Sequence, residues 1–137
     1  MTKEERELLI KDLCARLPYG LKGLVTTHWD KEYVGILKGI KSGPILDIPQ
    51  LEIMYDYNIH NVGLGDFKPY LRPLNSITPK ESREFQYIFN NIYRPSVSMI
   101  DKNCEYHLDF RDLIPRGLAL EAPQGIYDTS KFGILCY

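Results

Sequence analysis

Apolar side chains recur as Ile10, Leu13, Cys14 and Leu17, the spacing of one helix face. Leu9 widens that face. Thr2-Lys3-Glu4-Glu5 supplies a capping box ahead of it, with acidic residues in the first turn, where the helix dipole favours them. Pro18 and Gly20 end the pattern. The spacing predicts a helix over about residues 3–16, with Cys14 on its buried face as a small core residue.

After Gly20 the period shortens. Leu24–Thr27, Tyr33–Leu37, Ile45–Ile48, Leu51–Met54 and Val62–Leu64 read as short strands, separated by turn signals at His28–Lys31, Gly39 and Ser42–Pro44. Tyr55–Asn61 is polar and aromatic and reads as a loop, either with aromatic side chains exposed for recognition or as a long hairpin with its tyrosines folded onto the sheet. Asp66–Glu81 then reads as a hinge between strands and helices. Pro69 and Pro73 hold it extended, and Thr78-Pro79-Lys80-Glu81 opens a second helix with a capping box.

That helix places Phe85, Ile88, Phe89 and Ile92 on one face and runs to about Ile92. Arg94-Pro95 stops it. A shorter helix capped at Ser96 or Ser98 continues through about Asn103, with Val97 and Ile100 inward. Tyr106–Phe110 alternates and reads as extended, and Arg111–Ile114 as one helical turn. Leu118–Ala122 is ambiguous by period. Beyond Pro123 the apolar Tyr127, Phe132, Ile134, Leu135 and Tyr137 call for packing on the body or contact with a partner.

These elements predict an α+β fold: an N-terminal helix, a small antiparallel SH3-like β-barrel or sheet, and a helical C-terminal half. With 137 residues the chain reads as a single domain, 1–74 holding the helix and strands and 75–137 the mainly helical part. Ten tyrosines, five phenylalanines and one tryptophan exclude a disordered chain. A net charge of −1 argues against general nucleic-acid binding. Cys14, Cys104 and Cys136 are odd in number and scattered, which fits reduced thiols in a cytoplasm better than a secreted disulfide framework. The N-terminus lacks the apolar core of a signal peptide, and no apolar run is long enough to span a membrane.

Candidate chemistry is sparse. Cys104 and His107 form a C-x-x-H pair with Asp109 nearby, but a structural zinc site needs about four ligands, and His28, His60, Cys14 and Cys136 are isolated. His107 reads instead as a surface or hydrogen-bonded residue. There is no G-x-S-x-G elbow and no P-loop, and Gly63-Leu64-Gly65 lacks the rest of a dinucleotide fingerprint. His28 with Asp30, or His107 with Asp109, lacks a nucleophile. The expectation is therefore no catalytic residue, no metal and no cofactor. Lys68, Tyr70 and Arg72 alternate, so an extended segment would set a tyrosine between two cations, able to meet a phosphate or base. The competing reading buries Tyr70 while its neighbours snorkel to water. Trp29 at a turn beside His28 marks a contact surface or covers one end of a barrel.

Three pieces carry a resemblance: KDLCARLPYG (Lys11–Gly20), KPYLRPLNSIT (Lys68–Thr78) and HLDFRDLIPRGLALEAPQGIY (His107–Tyr127). In this order they resemble an uncharacterised family of small proteins encoded by gut Bacteroidales genomes, prophages and related phages. Leu21–Gly65 is the part that varies in that family. The resemblance implies a cytoplasmic accessory protein of a phage or mobile element, acting in the host-cell cytoplasm, and brings no catalytic or binding residues with it.

The reading that follows is a binding protein whose contact residues are His28, Trp29, Tyr55, Tyr57, Lys68, Tyr70 and Arg72. Its partner is a host protein or, alternatively, a small anionic nucleotide ligand sequestered against host defence; homo-oligomers are compatible with either. An enzyme of unrecognised type is the second alternative.

Overall fold

The computed structural model describes residues 1–41, 49–91 and 95–128. Helix α1 spans Lys3–Arg16, and the Thr2 hydroxyl accepts the Glu5 amide at 3.1 Å. A 3-10 turn over Leu17–Tyr19 and Gly20 at φ 67° end it. The bounds are those expected, and so is part of the buried face: Leu9 and Leu13 are buried and Ile10 and Leu17 pack against the core, but Asp12 and Arg16 are buried beside them and Cys14 is exposed. Apolar spacing cannot register a buried ion pair. Arg16 Nε donates to Asp12 Oδ2 at 2.7 Å and Nη2 to the Leu108 carbonyl at 2.6 Å. These bonds turn the helix so that the two polar residues, not Cys14, face the body.

Strands β1 (Lys22–Thr26), β2 (Glu32–Lys41), β3 (Gln50–Tyr55) and β4 (Asn58–Gly63) form an antiparallel meander. A 3-10 turn over Leu64–Asp66 leads to β5 (Phe67–Leu71), which returns antiparallel beside β1, and β6 (Leu120–Glu121) adds parallel to β5. The order is β4-β3-β2-β1-β5-β6. The sheet is open: β4 and β6 are its edges, and no ladder closes a barrel among the described residues. Gly23 and Gly35 allow close packing inside it. A Cβ on Gly23 would meet the Phe67 ring at 2.5 Å, and one on Gly35 would meet Ile53 at 2.3 Å.

Two stretches take definite form here. Tyr55–Asn61, expected as a recognition loop or a long hairpin, is a tight hairpin. Asp56 at φ 48° and Tyr57 at φ 67° make the two-residue turn, and β4 starts at Asn58. Turns of this kind usually advertise themselves by Asn-Gly or Asp-Gly, which is missing here. The expected hinge begins as a strand, Phe67–Leu71, which pairs with β1 and with β6, and only Arg72–Thr78 connects it to the next helix. Pro69 reads as a strand breaker, yet its missing donor points away from β1, at a level β6 does not reach. The strand expected at Ile45–Ile48 lies outside the described residues.

Helices α2 (Pro79–Asn91) and α3 (Pro95–Glu105) follow. The capping box forms in both directions: Thr78 Oγ1 accepts the Glu81 amide at 3.2 Å, and Glu81 Oε1 accepts the Thr78 amide at 2.8 Å. Of the apolar face expected on α2, Ile88 is buried and Phe85 half-buried, but Phe89 is exposed; Glu81 and Glu84 are buried in its place. Ile100, expected inward, is exposed. The side chains of Ile92 and Val97 are outside the described residues. After Glu105 the described chain has turns and β6 but no helix. Tyr106–Phe110 is not a strand. His107 sits at φ 60°, and Leu108 makes a single bridge to Arg72. The Asp109 carboxylate accepts the amides of Leu113 and Ile114 at 2.8 and 2.9 Å, which fixes the next turn.

One apolar core joins Leu9 and Leu13 of α1, the inner sheet face (Val25, Leu37, Leu51, Ile53, Val62, Phe67, Leu71) and Leu113, Leu118 and Ala119 of the C-terminal segment. No described helix is long and apolar enough to cross a membrane.

Candidate interaction surface

Arg72 is where the sequence reading departs furthest from the structure. Its guanidinium forms a two-pronged pair with Glu81, Nη1 to Oε2 at 2.6 Å and Nη2 to Oε1 at 2.8 Å. It also donates to the carbonyls of Tyr106 and Ser76 at 3.1 and 3.0 Å. Both residues are buried. Burial alone would raise the Glu81 carboxyl, but the hydrogen bonds from Arg72 and Thr78 outweigh it and hold the group below its ordinary range. Tyr70 is buried as well, and its carbonyl accepts the Tyr127 hydroxyl at 2.8 Å. Only Lys68 of the alternating trio is exposed. A tyrosine between two exposed cations does not form, because Arg72 neutralises a buried carboxylate instead of reaching solvent.

His107, expected at the surface or hydrogen-bonded, is buried. Its ring stacks on Tyr127 with centroids 3.7 Å apart. Burial, then the charges of Arg16, Arg72 and Lys22, push its pKa down to about 3. It is neutral near pH 7 and unsuited to proton transfer there. No cluster of three His, Cys, Asp or Glu side chains able to hold a metal occurs among the described residues. The Tyr127 hydroxyl enters the β1–β5 ladder where Lys22 faces Tyr70. It accepts the Lys22 amide at 2.9 Å and reaches the Lys22 and Tyr70 carbonyls at 3.1 and 2.8 Å. Burial raises its pKa.

These contacts interlock three segments of the chain, Lys11–Gly20, Lys68–Thr78 and His107–Tyr127. Asp12 and Arg16 come from the first, Arg72 from the second, and Leu108, Arg111 and Tyr127 from the third. Arg111 Nε completes one knot on Asp12 Oδ1 at 3.1 Å. The buried charged residues of those pieces, Asp12, Arg16, Arg72 and Asp109, are committed to holding elements together.

The sheet between them presents a different surface. Directly opposed residues of antiparallel strands share a face. Leu24 opposes Val34, and Ile36, Met54 and Ile59 oppose one another across β2, β3 and β4. All five lie on the face away from the core; Val34, Met54 and Ile59 are exposed and Leu24 and Ile36 half-covered. Lys68 stands beside Leu24 on this face. The β1–β2 and β3–β4 turns leave the same end of the sheet. They carry Trp29 at 85% and Tyr57 at 99% exposure. Pattern reading missed this band because Tyr33–Leu37 is continuously apolar, which normally means a strand covered on both faces.

His28 and Tyr55 meet elsewhere, in a cleft of about 370 Å³ between the end of β1 and β4. Thr26, Thr27, Gln50, Asn61 and Asp66 share its wall. Tyr55 itself is held on the inner face, stacked on His60 at 3.9 Å and against Tyr33 at 4.9 Å. Thus Trp29 and Tyr57 share one end of the sheet, His28 and Tyr55 share the cleft, Lys68 flanks the outer face, and Tyr70 and Arg72 belong to the interior. No protein-family model, no curated protein and no solved structure matches the chain.

Proposed function

We propose that this is a non-enzymatic binding protein that recognises a host protein through the outer face of β1–β4 and the turns bearing Trp29 and Tyr57. One observation carries the reading. Val34, Met54 and Ile59 form an uncovered apolar band with Leu24 and Ile36, where lone exposed apolar residues would need no explanation. The band lies wholly within Leu21–Gly65, the part that varies in the family the chain resembles. The recurring pieces supply the buried polar struts Asp12, Arg16, Arg72 and Tyr127, while the apolar core also draws on Val25, Leu37, Leu51, Ile53 and Val62 of the varying part, so the division holds for the struts and the displayed band. That division fits a phage or mobile-element protein acting in the cytoplasm of a Bacteroidales host. An SH3-like relationship draws support from the four-strand meander, the 3-10 turn and the return of β5 beside β1.

A small anionic nucleotide finds less support. Among the described residues, the cleft between β1 and β4 is lined by Asp66 and by no lysine or arginine. A second cavity of about 270 Å³ under Pro123–Tyr127 includes Arg72, but Glu81 already holds that guanidinium. Catalysis finds less still, since the buried ionisable groups Asp12, Arg16, Arg72, Glu81 and Asp109 serve as struts.

The test is co-purification from a Bacteroidales host of the wild type and of a Val34→Glu/Met54→Glu variant. Both positions are exposed, so the variant should melt with the wild type while losing the retained host protein. Retention of the same protein by the variant would overturn the assignment to this face.

A further inference from the structure

Strand β4 has an open edge. The turn at Asp56-Tyr57 makes Tyr55 and Asn58 its closing pair, so bonded pairs to β3 recur at Ile53–His60 and Leu51–Val62. Ile59 and Asn61 therefore turn their N–H and C=O groups away from β3, and no described backbone group bonds to them. The edge lacks the usual protections: β4 contains no charge, no proline and no bulge.

The ladder between β1 and β5 stops short at the end of β1. Thr27 N–H bonds to the Lys31 carbonyl and Leu37 N–H to the Leu21 carbonyl, so the odd-numbered residues of β1 face β2 and the even-numbered ones face β5. Leu24 faces Lys68. Thr26 is next, but the β1–β5 pairing ends at Val25 opposite Phe67. Thr26 stands opposite Asp66, where the chain enters the 3-10 turn, and no described strand continues the ladder past it. Thr26 and Asn61 line the same cleft, in which, among the described residues, Asp66 is the only carboxylate and no lysine or arginine takes part.

We propose that this seam receives an extended peptide segment of a partner protein. The segment adds as a strand to the open edge of β4, lies across the cleft from Thr26, and carries a lysine or arginine to Asp66. Main-chain hydrogen bonds to β4 supply the grip, and the Asp66 carboxylate selects the charge of the segment. The inference rests on the binding reading for the class of partner but uses a separate surface, so the outer face and the seam can fail independently.

The experiment uses the full chain and short synthetic peptides of alternating threonine and valine with one central lysine. Matched peptides carry glutamate at the centre or N-methyl groups on the strand-pairing amides. Binding is read from backbone amide shifts. The expected result is movement of Thr26, Ile59 and Asn61 with the lysine peptide and weaker binding of the glutamate peptide, by about fivefold, the upper end for an exposed ion pair. Methylation should weaken binding by roughly tenfold as bonds to the open edge are lost. Asp66→Lys, at an exposed position, should invert the charge preference and leave the fold intact. No shift at these amides with any peptide overturns the proposal. So do shifts confined to Val34 and Met54, which would assign peptide binding to the outer face. Concentration-dependent broadening of the β4 amides without peptide overturns it in favour of a second copy of this chain.

Discussion

Replacing Glu81 with glutamine isolates the Arg72 strut. The substitution keeps side-chain length but turns one carboxylate oxygen into a donor that faces an Arg72 donor. Arg72 cannot shed its charge, and it is only 8% exposed, so water offers little relief. Removing one partner of a buried pair costs about 3–5 kcal/mol. The carbonyls of Tyr106 and Ser76 still receive the guanidinium, which places the cost near the lower end, about 3 kcal/mol. For a chain of 137 residues, each kcal/mol lowers Tm by roughly 3–5 °C. Thermal unfolding at pH 7 should therefore show a drop of about 10–15 °C. The pH dependence has a definite sign. The Glu81 carboxyl is held below its ordinary value of 4.5, so its contribution is complete above that pH and is lost as pH falls through the folded-state value. The gap between wild type and variant should stay constant from about pH 8 to 5 and narrow below about 4.5. A drop under roughly 3 °C at pH 7, or a gap unchanged at pH 3, would refute the claim that this pair braces the fold.

Two further outcomes follow from other buried groups. His107 takes up its proton only near pH 3 when folded but near 6.5 when unfolded, so acidification from about 6.5 to 3 favours the unfolded chain. His107→Asn, a residue that tolerates the φ of 60°, should flatten the pH dependence of urea-unfolding stability between about pH 6.5 and 5, above the range where Glu81 acts. An unchanged slope would contradict the burial of a neutral imidazole. Cys14 should react with a thiol reagent in the native protein, whereas Cys104, buried and with its pKa raised by burial, should react only on unfolding. Peptide mapping distinguishes the two, and native labelling of Cys104 at a similar rate would count against its burial on the inner side of α3.

Local signals in the chain fixed local structure well. Thr2 and Gly20 bracket α1, and Thr78 with Glu81 starts α2, because caps are satisfied by neighbours in sequence. What apolar spacing could not reach was orientation. Asp12 with Arg16, and Glu81 with Arg72, bury polar side chains by pairing them. They turn Cys14 and Phe89 outward, where spacing alone would bury them. The strand at the start of the hinge was missed for a similar reason: Pro69 looks like a breaker until its missing donor is known to point where no strand pairs. The contact surface was partly legible. Trp29 and Tyr57 are exposed at turns, as aromatic residues beside polar ones suggest, and Lys68 flanks the outer face. The cleft was not legible, because Thr26–His28 and Asn61–Asp66 are joined only by the curvature of the sheet.

The central claim is that the outer sheet face, displayed on an ion-paired frame, meets a host protein. A photo-crosslinking residue placed at Val34 in the full chain, expressed in a Bacteroidales host, tests it most directly, with the same residue at exposed Arg83 on α2 as the reference. The account predicts one host protein captured at Val34, competed away by excess wild-type chain and absent at Arg83. Capture of the same protein at both positions, or no competable capture at Val34, would contradict it.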